Sequence, residues 1–141
     1  MYYPLPIPPE DYYKISGVCR QYNALIRNPR KDGGGDVPGY EGRYMVWTPT
    51  GGEGDDTSWT NRKSADNQWI VERKSPENAN SIFVNNAVHE VERRRITYWR
   101  ENKRAPFSFV GVYEIDQTLT RMAGVRIYRR ISDVMPALEI I

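Results

Sequence analysis

The sequence predicts an α+β fold: an N-terminal helix packed on a curved, mainly antiparallel sheet of five or six strands, or a small barrel. Three observations lead there. Apolar residues near the N-terminus recur in steps of three and four. Beyond residue 40 they fall instead into short runs rich in β-branched and aromatic side chains. Gly, Pro, Asn and Asp separate those runs, and these are the residues that turn a chain. With 141 residues, 39% of them hydrophobic and 27% charged, there is material for one core.

Taken in order, residues 1–8, "MYYPLPIP", are proline-rich and read as an extended arm. Residues 9–141 read as one domain. In "PPEDYYKISGVCRQYNALIRN", Pro8, Pro9 and Glu10 suit a first helical turn. Tyr12, Ile15, Cys19, Tyr22 and Ile26 then make an apolar stripe, and Pro29 stops it. "RKDGGGDVPG" follows as a loop. Strands are expected in "RYMVWT", "QWIVERK", "SIFVNN", "FSFVGVYEI" and "GVRIYRRI". The fourth alternates Phe107, Phe109, Gly111, Tyr113 and Ile115 with Ser108, Val110, Val112 and Glu114. Gly111 in its middle marks a bulge or a close backbone approach. "HEVERRRITYWREN" admits both periods and reads as a helical turn leading into a short strand.

Cys19 is the only cysteine and His89 the only histidine. An internal disulfide and a Cys/His zinc site are therefore excluded, and a histidine-based triad would rest on one residue. No resident metal or cofactor is expected. No apolar run approaches the roughly 18 residues of a membrane span, and the N-terminus lacks the pattern of a signal peptide. A cytoplasmic protein is expected, nucleoid-associated in a bacterium or nuclear in a eukaryote. The net charge of +2 is mild, so its distribution says more than its total.

Three constellations carry chemistry, each beside a plainer reading. The first is "GYEGRYMVWTPTGGEGDD". Its glycines let main-chain amides face a ligand, and Asp55 and Asp56 can accept from the exocyclic amine of cytosine. Tyr40, Tyr44 and Trp47 can stack on a flat ring, with Trp47 and Trp59 anchoring the ends of the loop. The plainer reading is a solvated acidic hairpin. The second is "QWIVERKSP", where Glu72 and Lys74 follow Asp56 in the order used by metal-dependent nucleases. Asp56 and Glu72 would hold Mg²⁺ while Lys74 assists the attacking water; a strand with alternating surface charges produces the same letters. The third is the cationic run Arg93, Arg94, Arg95, Arg100, Lys103 and Arg104, with Tyr98 and Trp99 inside it. Such a run neutralises phosphates, or forms a mixed-charge solvent face with Glu90, Glu92 and Glu101.

The order of "GYEG" at 39–42, "TPTGGEGDD" at 48–56, "NRKSADNQWI" at 61–70 and "APFSFVGVYEID" at 105–116 resembles the SRA (SET and RING associated) domain family, and more loosely the PUA-like fold. The likeness runs in outline from residue 39 to 131. It implies a reader of modified cytosine, 5-methyl- or 5-hydroxymethyl-like, that flips the base into an aromatic and acidic pocket. It implies stacking by Tyr40 and Trp47. The family's pocket aspartate falls near Arg43, which cannot accept a hydrogen bond, so either Asp55 or Asp56 substitutes for it or the ligand differs. The expected partner is duplex DNA, with fusion to or association with a nuclease or other effector. A Mg²⁺-dependent nuclease and a protein-binding phage or defence factor with a tyrosine interface stand as the alternatives.

Overall fold

A computed structural model describes residues 1–26, 33–53, 59–74, 80–88 and 93–141. The strands are β1 (Tyr2–Tyr3), β2 (Gly34–Asp36), β3 (Tyr44–Trp47), β4 (Gly52–Glu53), β5 (Trp59–Lys63), β6 (Trp69–Lys74), β7 (Arg94–Trp99), β8 (Ser108–Ile115), β9 (Arg126–Ser132) and β10 (Leu138–Glu139). Three helices, α1 (Ile15–Cys19), α2 (Asn80–Val88) and α3 (Gln117–Ala123), and two 3-10 turns complete the set. Eight strands form one sheet in the order β2-β3-β7-β8-β9-β6-β5-β4, and β1 pairs with β10. Every ladder among the described residues is antiparallel except β3 with β7. The fold is the α+β, mainly antiparallel class expected, with more strands than the five or six anticipated.

Connectivity forces the sheet to curl. Six strand spacings separate β3 from β4, which is roughly 29 Å in a flat sheet. Yet Trp47 and Gly52 are five residues apart in the chain, a reach of at most about 18 Å. The sheet must bend until its flanks approach each other. The connector is bonded to both: Gly51 N–H donates to Arg100 O at 2.8 Å on one side. On the other, Asn61 Nδ2 donates to Thr50 O at 3.4 Å.

Curling gives the sheet an outer and an inner face, each with its own core. Val46, Ile96, Tyr98 and Val112 lie in the outer cluster with Tyr3, Val18, Cys19, Tyr22, Val37, Phe107 and Leu138. Met45, Trp47, Ile70, Trp99, Tyr113 and Tyr128 make the inner one. Adjacent residues of β3 thus serve different cores, as the pleat requires.

Three expectations need correction. The N-terminal stripe is right, but the helix is not continuous. It breaks into the 3-10 turn Pro9–Tyr13, α1, and the 3-10 turn Arg20–Tyr22, with Lys14 extended at φ −127° and ψ 138°. Gly17 allows the fold-back, because a Cβ there would lie 2.1 Å from Asp11 O. Asp11 and Arg20 are ion-paired across the break. "SIFVNN" is helical, inside α2; the buried residues Val84, Ala87 and Val88 follow the i, i+3, i+4 spacing of a helix. "RRITYW" is the strand expected, β7, while residues 89–92, on which the helix or helical turn was expected, lie outside the described set. In β8 the simple alternation fails. Phe109 and Val112 face the outer core, and Val110, Tyr113 and Ile115 pack with the inner one. The register against β7 slips there, with Thr97 opposite Gly111 and Tyr98 opposite Phe109. Gly111, at φ +146°, is the residue that permits it.

Candidate nucleic-acid interface

The curl brings the end of β7 against β5 and leaves an open hollow of about 300 Å³ between them. Gly52, Asn61, Arg62, Lys63, Trp99 and Glu101 line it. Asn61 is the informative residue. Its Nδ2 is taken by Thr50 O, while its buried Oδ1 has no hydrogen-bond partner among the described residues. Thr48 Oγ1, on the connector, is in the same condition. A buried acceptor left unmade costs about 1–3 kcal/mol, so it calls for an occupant. Across the β5–β6 ladder Asn61 stands opposite Glu72, which is only 7% exposed. Glu72 in turn lies 3.7 Å from Arg126, its register partner on β9.

Trp99 forms the apolar wall. Its indole Nε1 donates to Glu101 Oε1 at 3.0 Å, which fixes the ring's rotation. Lys63 Nζ sits 5.8 Å over the ring. Arg100, the next residue, donates from Nε to Thr50 Oγ1 at 2.7 Å and lies over Phe107 at 4.4 Å. Burial holds its guanidinium below the ordinary arginine range. In the same inner cluster the Arg95 guanidinium lies against both Trp47 at 4.9 Å and Tyr128 at 4.5 Å. Those two rings are themselves 4.7 Å apart. The three groups pack on one another, so Trp47 presents no free aromatic slot.

The residues singled out in the sequence fall into separate places. Tyr40 and Tyr44 meet edge to face at 6.1 Å, beside the outer core. Arg43 covers Tyr40 at 5.1 Å, Arg94 covers Tyr44 at 5.7 Å, and Tyr40 Oη donates to Glu139 O at 2.8 Å. Trp47 points the other way, into the inner cluster. Asp55 and Asp56 lie outside the described residues.

The cationic run is divided by the length of β7. Arg93, 2.8 Å from Asp36, and Arg94, 3.5 Å from Glu114, sit at its start. Arg100, Lys103 and Arg104 follow its end, roughly 17 Å away. Arg95 between them is buried. Of the nuclease set, Glu72 and Lys74 share β6 and Asp56 is not described. Among the described residues no three acidic, His or Cys side chains gather as a metal site. No described helix is long and apolar enough to cross a membrane.

Asn61, Arg62 and Lys63 were not singled out by their chemistry, though they open "NRKSADNQWI". Nothing in a local pattern announces that an asparagine will lose one partner to a distant carbonyl and keep the other lone pair free. The clue available was Trp99 placed among arginines.

Comparison with known proteins gives a consistent picture. The model of the SET and RING associated domain matches residues 12–137. Among solved structures, the chain is similar to "The 5-Hydroxymethylcytosine-Specific Restriction Enzyme AbaSI", at a TM-score of 0.65 and 19% identity. That match covers 90% of this chain and 40% of the other, so the chain spans less than half of that enzyme's length. None of the curated proteins matches the sequence.

Proposed function

This chain belongs to the SRA (SET and RING associated) family, and we propose on that premise that it is a DNA-binding module that takes a modified cytosine into the hollow beside Trp99. The observation that carries this reading is the buried, unpartnered Oδ1 of Asn61 among the lining residues. Cytosine presents an exocyclic N4 amine, which can donate to it. Glu72, opposite in the ladder, adds acceptor character on the same side. Asp55 and Asp56, which follow β4 in the sequence, are the further acceptors assigned to the same base edge.

The energetics are feasible. Extruding a base costs a few kcal/mol. Stacking returns roughly 1–3 kcal/mol, and each neutralised phosphate adds to it. Arg62 and Lys63 at the mouth, with Arg100 next to Trp99 in the chain and the exposed Lys103 and Arg104 beyond it, supply the phosphate contacts. Arg94, with Tyr44 and Tyr40, takes backbone flanking the site on the outer face, while Arg93 orders the edge strand through Asp36. Trp47 acts as the floor that keeps the hollow from collapsing.

The solved relative is described as specific for 5-hydroxymethylcytosine, and that base is the first to test here. The same description supports association with a nuclease, this chain providing recognition. The experiment is a titration of duplexes carrying one cytosine, 5-methylcytosine or 5-hydroxymethylcytosine at 50 and 200 mM salt. The expected result is preference for a modified duplex, with the affinity for that duplex reduced about tenfold in Asn61→Ala, the worth of one hydrogen bond. Equal affinity for all three duplexes sinks the reading.

A further inference from the structure

Trp99 is only 5% exposed, so a base cannot stack on it until something moves. Besides the inner-core residues it packs with, three neighbours cover it. Gly51 is pressed against the ring, since a Cβ there would lie 2.6 Å from Trp99 Cζ2. Its backbone is pinned by the 2.8 Å bond to Arg100 O. Glu101 holds the indole edge through Nε1. The third neighbour is the Lys63 ammonium, 5.8 Å over the ring, with one 3.3 Å bond to the adjacent carbonyl of Ser64.

Only the last of these is easily displaced. A cation near the 6 Å limit of a cation–π contact, at a partly exposed position, gains about 0.5–1 kcal/mol. A stacked base gains roughly 1–3 kcal/mol on the same face. The lysine stem has four flexible carbons, and the ammonium is a mobile point charge suited to phosphate.

Resting on the function proposed above, we infer that Lys63 is a displaceable cover. It shields Trp99 in the free protein. When DNA enters, the ammonium leaves the ring and pairs with a phosphate beside the extruded nucleotide, and the base takes its place. One side chain thus couples entry of the base to capture of the backbone, and the hollow is not left with an open apolar wall in the absence of ligand.

The salt dependence of binding separates this from a structural role for Lys63. A phosphate contact contributes about 0.9 to the slope of log K against log salt. Lys63→Met keeps an unbranched apolar stem over Trp99 and removes the charge. It should flatten the slope by about 0.9 on the preferred duplex, so that wild type loses about 3.5-fold more affinity than the variant between 50 and 200 mM salt. Lys63→Arg should restore the wild-type slope. A slope in Lys63→Met equal to wild type overturns the proposal while leaving modified-base recognition standing, and so does a slope in Lys63→Arg as flat as that of Lys63→Met. A wild-type protein that binds no duplex overturns both. Thermal melts of the two variants confirm that folded protein is compared.

Discussion

Three buried tyrosines and one thiol tie this protein's stability to pH. Tyr22 Oη donates to Pro136 O at 2.9 Å, Tyr98 to Gln21 Oε1 at 2.5 Å, and Tyr113 to Asn67 O at 2.5 Å. Each bond needs the phenol proton, and burial opposes its loss. Desolvation pushes the Tyr113 phenol from 10.0 up to about 12 and the Cys19 thiol from 9.0 up to about 12. Tyr22 and Tyr98 are raised for the same leading reason. Below pH 9 both the folded and unfolded chains keep these protons, so the stabilisation is complete. Between pH 9 and 12 the unfolded chain releases them first, and stability must fall as pH rises, by about 1.4 kcal/mol per pH unit for each group in its window. Urea unfolding at pH 8 and pH 11 under reducing conditions should show a clearly lower midpoint at pH 11. Equal midpoints would mean that these groups are open to solvent.

Among the elements, β8 shows how a single residue redirects a strand. Its bulge at Gly111 shifts which side chains reach each core, and β9 packs tightly against the spot. A Cβ at 111 would lie 2.4 Å from Arg130 Cδ and 2.9 Å from Ser132 O. Combined with its positive φ, the crowding predicts that Gly111→Ala destabilises by about 3 kcal/mol in urea titration. A loss below 1 kcal/mol would show that the bulge relaxes. The glycine was legible in the sequence as a bulge or close approach, and it proves to be both. The strand alternation drawn through it was wrong beyond that point, because period-2 counting assumes an unbroken ladder. β3, β6, β8 and β9 were legible from their composition. β2 and β4 were not, since "GGD" and "GE" become strands only by pairing with partners set elsewhere. The short α3 did carry its signals, Asp116 capping Leu119 N at 2.9 Å and Gly124 closing at φ +68°, and composition-led reading passed over them. The proposed site lies near a region the sequence marked out, a glycine-rich loop with arginines and aromatics. Its acceptor was not, because Asn61 is defined by a bond to the carbonyl of Thr50, eleven residues away.

At the scale of the whole molecule, the arm at the N-terminus is part of the outer core. Tyr3 is 3% exposed, stacks near Tyr22 at 5.9 Å and pairs in register with Leu138. The two ends of the described chain therefore close over the broken helix together. Tyr3→Ala should destabilise the whole domain by about 3 kcal/mol, the usual loss for a large buried ring. It should leave the preference among duplexes unchanged, because the hollow lies on the inner face. A shift in that preference would show that the two cores are mechanically linked. The connector between β3 and β4 has its own consequence. Residues 48–51 work as a drawstring that gathers opposite margins of the sheet, and the chamber's width is set by their length alone. Lengthening that string by even one residue should slacken the chamber without altering any side chain that lines it.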